Sequence, residues 1–395
     1  MKPLIKRRRR SPGYVAAGGI KLVRGGRPYF EQILDMINHA REIIQLQVYI
    51  YDQDETGMQV TSALIAAAKR NVQVYLMADG YASQGLSKKF IHEVRDAGIQ
   101  FRFFEPLFRS RHSYFGRRLH HKVIVVDNRC AMVGGINISN HYNDMPEQSA
   151  WLDFALYMEG AIVKELCRVC QKIWQGYLPA KRVSLCRDYP ANAIASSGEE
   201  YLLRVRRNDW VMKRSQVSGS YIEMFRKAND QIIMMSGYFL PGRLIRKNMK
   251  LAIKRGVKIK LILAGISDVM VAKYAERFMY DWLFKNKIEL YEYKPCVLHG
   301  KVAVYDRQWA TIGSYNVNDI SAYASIELNI DVNNRDFAAM LNETLEKIIQ
   351  KDCVLMTREH FNLHNGIPSR IWGRLCYWFV RMLFYIFTIN FKQRG

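Results

Sequence analysis

LHHKVIVVD, residues Leu119 to Asp127, sets two histidines and a lysine immediately ahead of an apolar run that reads as a buried strand. Titratable groups at the lip of a core strand need a reason, because a buried charge is costly unless it is paired. A second copy supplies one. LHGKVAVYD, Leu298 to Asp306, repeats His-x-Lys-x4-Asp at an offset of 179 residues, so His120, Lys122 and Asp127 correspond to His299, Lys301 and Asp306.

The order of elements around the two copies is also the same. The first half reads as a helix around Tyr29 to Ala40, the strand-like EIIQLQVYIYD, a helix over Met58 to Arg70 and the strand VQVYLMAD. The second half reads as a helix near Tyr221 to Ala228, QIIMMSGYFL, a helix over Leu244 to Arg255 and VKIKLILAG. Each half then passes through a further helix and a short strand closing on proline, IQFRFFEP and IELYEYKP, before it reaches its histidine motif. Strands alternating with helices predict the α/β class, with helices on both faces of a sheet. A chain of 395 residues holds two such units, each with its own core. RDYPANAIASSGEE has no periodicity and reads as their connection. The expected division is a basic segment 1–24, a first half 25–185, a linker 186–200, a second half 201–352 and a C-terminal extension 353–395.

Hydrophobic content of 49% with 12% aromatics describes a folded protein. The net charge of +23 points to an anionic partner: nucleic acid, an acidic membrane surface or a phosphorylated substrate. Charge alone does not choose among them. Seven cysteines are scattered, and only Cys167 and Cys170 have C-x-x-C spacing. No second pair or nearby histidine completes a zinc set, so CRVC reads as one helical turn on the core and the expected compartment is reducing. MKPLIKRRRRSPG has the charge of a signal peptide without its apolar region, so export is not expected.

After each motif aspartate comes a hairpin-like pair of short strands, CAMVGGINISN and WATIGSYNVND. Asn137 and Asn316 each lie 17 residues after the motif histidine. A lone His-x-Lys is more often a hydrogen-bonded strand edge, but two copies with matched Asp and Asn outweigh that reading. Residues i and i+2 of a strand project to one side, so His120 projects with Lys122 and His299 with Lys301. If the halves pack about a pseudo-twofold axis, two imidazoles, two ammonium groups and two amides converge. Such a pocket suits an anion, and phosphate is the natural candidate. One imidazole can attack phosphorus while the other protonates the leaving alkoxide, with no metal and no cofactor. Lys122, Asn137, Lys301 and Asn316 would bind the phosphate oxygens. A nucleophilic histidine needs its other nitrogen held by a carboxylate or carbonyl. Asp153 in SAWLDFAL and Glu327 in YASIELNI are the downstream candidates, the alternative for each being a surface strand position.

The doubled H-x-K-x4-D with G-G-x-N and G-S-x-N resembles the phospholipase D superfamily over roughly residues 25 to 350. Within it, HHKVIVVDNRCAMVGGINIS, WLDFALYMEG and YEYKPCVLHGKVAVYDRQWATIGSYN are most similar to bacterial cardiolipin synthases. The resemblance implies a duplicated fold, two mixed-sheet, sandwiched α/β halves related by pseudo-twofold symmetry. It also implies exchange through a phosphatidyl-histidine, in which one phosphatidylglycerol loses glycerol and a second lipid hydroxyl takes the phosphatidyl group. The candidate catalytic set is then His120, Lys122 and Asp127 with His299, Lys301 and Asp306. Family precedent gives the motif aspartates a mainly structural part and uses a downstream carboxylate to orient each histidine. The second half departs from many members by continuing NVNDISAYASIELN, without an arginine and serine after the asparagine. The chain also lacks the two N-terminal transmembrane helices of one major type, and so resembles the shorter, peripheral type.

Attachment to a membrane is expected from the tail. Ile371 to Phe391 is a 21-residue apolar stretch with Arg381 at its middle. On a helix, Arg374, Tyr377, Arg381, Tyr385 and Thr388 form one stripe, which favours an in-plane helix with that stripe toward water over a span. The Arg7 to Arg10 run would add an electrostatic anchor. The sequence therefore predicts a phosphatidyltransferase with phospholipid substrates at an anionic membrane surface, the cytoplasmic face of a bacterial inner membrane, and no nucleic acid. The competing readings are a phosphodiesterase hydrolysing phospholipid or nucleic acid, and a non-catalytic membrane scaffold.

Overall fold

The computed structural model describes residues 13–106, 117–176, 185–186, 201–318, 321 and 325–392. The first half supplies seven strands: β1 (Gly19–Arg24), β2 (Ile43–Val48), β3 (Gln73–Asp79), β4 (Gln100–Phe104), β5 (Lys122–Val126), β6 (Cys130–Gly134) and β7 (Phe154–Glu159). They form one sheet in the order β1-β7-β6-β5-β2-β3-β4. The β2, β3 and β4 strands run parallel and the other pairings are antiparallel. The second half repeats the set as β8 (Tyr201–Asp209), β9 (Gln231–Ser236), β10 (Lys258–Ala264), β11 (Glu289–Tyr293), β12 (Lys301–Tyr305), β13 (Trp309–Gly313) and β14 (Ser325–Asn333). Their order is β8-β14-β13-β12-β9-β10-β11, so each strand takes the place of the one seven earlier.

Short strands extend the second sheet. Val15–Ala17 adds to β8 and Cys353–Leu355 adds to β11. Residues 15–24, which the sequence reading assigned to the basic N-terminal segment, are thus strands, and the chain steps at Gly18 from one sheet to the other. The helices of the first half are α1 (Arg27–Asn38), α2 (Glu55–Lys69), α3 (Lys88–Asp96) and α4 (Ile162–Gln175). Those of the second are α5 (Gln216–Lys227), α6 (Arg243–Lys254), α7 (Met270–Phe278), α8 (Tyr280–Lys285) and α9 (Arg335–Asp352), followed by α10 (Arg358–His364) and α11 (Ile367–Lys392). Helix α2 starts ahead of its first apolar residue because Asp54 caps it, its side chain accepting from the Gly57 N–H.

After their leading lysines the motif strands are apolar because they are buried on both faces. Along β5, Val123 and Val125 join a core shared by both halves, which α4 and α9 complete, while Ile124 and Val126 join the first half's own core under α1 and α2. The shared core brings the two sheets face to face. Where β5 turns into β6, Asp127 and Asn128 have φ of 53° and 53°, and at the equivalent turn Asp306 and Arg307 have 50° and 52°. Each aspartate fixes its turn by accepting three backbone N–H bonds: Asp127 from Arg41, Glu42 and Ile43, Asp306 from Asn229, Asp230 and Gln231.

The CRVC turn packs on the core through α4, with Cys167 and Cys170 both buried. Cys167 is also disulfide-bonded to Cys186, beyond the end of α4, a bond not expected from the reducing compartment that the sequence suggested.

Candidate active site

Both histidines sit two residues ahead of a core strand, so the strand fixes their backbone while the side chains stay at its lip. The halves exchange hydrogen bonds at this point. The His120 N–H donates to Ile326 O at 3.1 Å, and the His299 N–H donates to Leu152 O at 2.8 Å. Ile326 precedes Glu327 and Leu152 precedes Asp153, so each main-chain bond carries a carboxylate of one half to the histidine of the other. The Glu327 carboxylate lies 3.0 Å from His120 Nδ1, and Asp153 Oδ2 lies 2.6 Å from His299 Nδ1. The downstream carboxylates are therefore crossed. Glu327 serves the histidine 207 residues before it, and Asp153 serves one 146 residues after it.

This crossing fixes tautomers. A carboxylate at Nδ1 calls for Nδ1–H, which leaves both Nε2 atoms as the reactive nitrogens. The support beneath the two carboxylates differs where the motifs differ. Ser314 Oγ donates to Glu327 at 2.5 Å. Its counterpart Gly135 lies under Asp153, and a Cβ there would fall 2.4 Å from Oδ2. Asp153 Oδ1 instead accepts the Phe154 N–H at 2.7 Å.

The lysines curl back over the motif. Lys122 Nζ donates to His120 O at 2.6 Å, and Lys301 Nζ donates to His299 O. Burial and the neighbouring ammonium of Lys301 bring Lys122 down to about 7, and burial brings Lys301 down to about 8. Burial also lowers both histidines and both lysines add to it, but the facing Glu327 carboxylate offsets part of the effect at His120, so His299 is lowered more strongly. Burial raises Asp153 to about 6. The site thus crowds two ammonium groups and two imidazoles around the Asp153 and Glu327 carboxylates, and an anion with dispersed charge would favour their charged forms.

Asn137 and Asn316 occupy matching places. Asn137 Oδ1 accepts from the Ile50 N–H and Asn316 Oδ1 from the Tyr238 N–H, each holding the loop that leaves the parallel strand β2 or β9. The Asn137 amide also donates to Tyr142 Oη at 2.8 Å, and that hydroxyl is 3.5 Å from His299 Nε2. Of the candidate catalytic set, Asp127 and Asp306 are not brought to the histidines. They sit at the far ends of β5 and β12 and are spent on backbone N–H groups, a structural role that corrects their place among the catalytic candidates.

Three tyrosines escaped the sequence reading. Tyr142 packs edge-on to His299, with ring centroids 5.1 Å apart. Tyr49 packs likewise on His120 at 4.8 Å and lies 5.0 Å from Lys122 Nζ. Tyr238 Oη donates to Asp268 at 2.5 Å at the start of α7. A search for repeats finds only what the halves share, and Tyr49 matches Gly237 while Tyr142 matches Ser321. His121, the extra histidine of the first motif, bonds Gln47 at 2.9 Å and is held neutral by burial, as a core residue. Among the described residues no His, Cys, Asp and Glu cluster suited to a metal ion occurs.

The C-terminal helix α11 packs against α7. Its Cys376 and Tyr377 are buried with Leu240, Ala275 and Met279, and Arg381 bonds back to Tyr377 Oη at 3.1 Å. Tyr377 and Arg381 of the expected water-facing stripe therefore face the protein or each other. Arg374 is exposed as expected, but most of the surface left exposed is apolar: Ile371, Trp372, Leu375, Trp378, Phe379 and Met382 are all at least half exposed. The reason is packing, because Tyr377 meets Phe278 of α7 at 4.8 Å. No described helix is long and apolar enough to cross a membrane. The side chains of Tyr385 and Thr388, and the whole Arg7 to Arg10 run, lie outside the described residues.

A family profile described as "Cardiolipin synthase, PLD-like domain" matches residues 33–174 and 221–349, once in each half. The cardiolipin synthase B of Escherichia coli K12 is 33% identical over 359 residues, covering 90% of this chain and 85% of that protein. That of Salmonella typhi is 34% identical over 367 residues, covering 92% and 86%. Among solved structures, a phosphatidylserine synthase from Haemophilus influenzae Rd KW20 superposes with a TM-score of 0.71. The overlap takes in 94% of this chain and 95% of that one at 13% identity, which shows a shared fold.

Proposed function

The chain belongs to the cardiolipin synthase, PLD-like domain family, and from that premise we propose that it is a cardiolipin synthase joining two phospholipids by phosphatidyl transfer. Nε2 of one motif histidine attacks the phosphorus of phosphatidylglycerol. The bond from phosphorus to the glycerol oxygen breaks, and the other histidine gives that oxygen its proton. A hydroxyl of a second phospholipid then loses its proton to the same imidazole and attacks phosphorus, releasing the first histidine and forming cardiolipin. The observation that carries this reading is the crossed pair of carboxylates, which leaves the two Nε2 atoms, one from each half, as the reactive nitrogens. A phosphodiester entering between Lys122 and Lys301 supplies the negative charge that favours both ammonium groups and one imidazolium. Asn137 and Asn316 would complete the cradle.

Substrate comes from a bilayer. The exposed aromatic face of α11 suits a membrane surface better than a nucleic acid, and we place the enzyme peripherally on the cytoplasmic leaflet. The test follows phosphatidylglycerol in detergent micelles. Parent protein should yield cardiolipin and glycerol and, on rapid quenching, an acid-labile, base-stable phosphatidyl-enzyme. His120→Ala and His299→Ala should each abolish product. Either variant keeping more than about a tenth of parental turnover would contradict a shared site, since such proton transfer supplies typically 10²–10⁴-fold.

A further inference from the structure

One face of α6 carries five cations that the proposed chemistry does not use. Arg243, Arg246, Lys247, Lys250 and Lys254 recur at helical spacing and line a groove of about 380 Å³ closed by Trp282 of α8. Like charges three and four residues apart destabilise a helix, and α6 contains no acidic residue to offset them. Arg246 Nε is buried there without a hydrogen-bond partner. A merely solvated face explains the lysines, but not the exposed leucines between them: Leu244 is 54% and Leu251 45% exposed. Lys250 Nζ lies 5.9 Å from the Trp282 ring, so the groove has a half-buried aromatic wall beneath its charges.

The groove adjoins the seat of α11. Trp282 also packs against the cluster that seats Cys376 and Tyr377, and Leu240 of that cluster lies just ahead of α6. Ile266, Val269 and Met270, at the start of the α7 helix on which α11 packs, are exposed as well, next to the Asp268 that bonds Tyr238 at the site. A row of cations beside exposed aliphatic and aromatic side chains matches one kind of partner, the interface of a bilayer containing acidic lipid. A nucleic acid would answer the cations and leave the apolar residues unsatisfied.

We propose that the groove between α6 and Trp282 binds the phosphate headgroup of an acidic phospholipid in the bilayer on which α11 rests, separately from the His120 and His299 centre. The proposal rests on the membrane reading above and assigns the folded body its own electrostatic anchor. It orients α7 and α11 toward the leaflet, with the substrate pocket opening beside them.

The experiment measures binding of the full chain to neutral phosphatidylcholine vesicles and to vesicles that also contain phosphatidylglycerol. The variants are Arg246→Gln with Lys250→Gln, Arg243→Gln with Lys247→Gln, and, as a control for diffuse charge, Lys69→Gln with Lys88→Gln. Each groove charge removed should weaken binding to acidic vesicles about fivefold, so each groove pair about 25-fold. Binding to neutral vesicles and turnover of a short-chain soluble substrate should be unchanged, and the control pair should bind acidic vesicles as the parent does. Groove variants that bind like the parent would overturn the proposal, as would a control pair that loses as much. So would a groove that holds inorganic phosphate or single-stranded DNA tightly while its variants leave vesicle binding intact. Soluble-substrate turnover reports the enzymatic reading independently, so the two can fail separately.

Discussion

Asp153→Asn should inactivate a histidine in the other half of the molecule. The carboxylate sits between two donors, with Oδ1 accepting the Phe154 N–H at 2.7 Å and Oδ2 facing His299 Nδ1 at 2.6 Å. An amide must keep its oxygen on the Phe154 side, because an NH2 there would oppose the backbone N–H. Its NH2 is then turned toward His299, and Nδ1 must become the acceptor. His299 is forced into the Nε2–H tautomer, which can neither attack phosphorus nor take a proton through that nitrogen. The lost contribution is that of one acid–base group, about 10²–10⁴-fold in turnover or about 3–5 kcal/mol of barrier. Turnover of phosphatidylglycerol in micelles gives the rate, and ¹⁵N chemical shifts of the labelled histidines give the tautomers. His299 should change while His120, paired with Glu327, keeps its Nδ1–H. Glu327→Gln should do the reverse to His120. A tautomer change at His120 with His299 untouched in Asp153→Asn would refute the crossed arrangement.

Gly135→Ser should act like Asp153→Asn, because the new Cβ meets the Asp153 carboxylate at 2.4 Å. Ser314→Gly removes the hydroxyl that donates to Glu327 and accepts the Leu328 N–H, and should slow turnover about 10- to 100-fold, the worth of the hydrogen bond to the charged group. The profile of kcat/KM against pH should be a bell. Its acid limb lies where Asp153, raised to about 6 by burial, gains a proton and stops orienting His299. Its alkaline limb lies where Lys122 at about 7 and Lys301 at about 8 lose theirs and no longer attract the diester. An alkaline limb near the ordinary lysine value of about 10.4 would contradict the crowding of the two ammonium groups. Asp127→Asn should lower unfolding free energy in urea by about 1–3 kcal/mol, by leaving a backbone N–H at the entry to β2 without its acceptor, without changing turnover per folded molecule. In α11, Tyr377→Ala should cost about 3 kcal/mol of stability, whereas Trp378→Ser should leave stability unchanged and weaken vesicle binding.

The duplication, the order of elements and the residues of the two motifs could be read directly from the sequence, because each depends on local periodicity or on spacing that survives in both copies. His120 with Lys122 and His299 with Lys301 share a strand face by period two alone. Asp153 and Glu327 stood out because a carboxylate in a core strand needs a partner. Which histidine each one serves is a fact about how two sheets meet, and no local rule carries it across 146 or 207 residues. Tyr49 and Tyr142 were invisible for a related reason: they reach the histidines where the halves have diverged, so repetition does not mark them. The tail shows the same limit. Its amphipathic pattern defined two faces of α11, but contact with Phe278 and Met279 decided that Tyr377 turns inward and the tryptophans outward. Periodicity tells a helix that it has sides, and only the packed neighbour determines which side it covers.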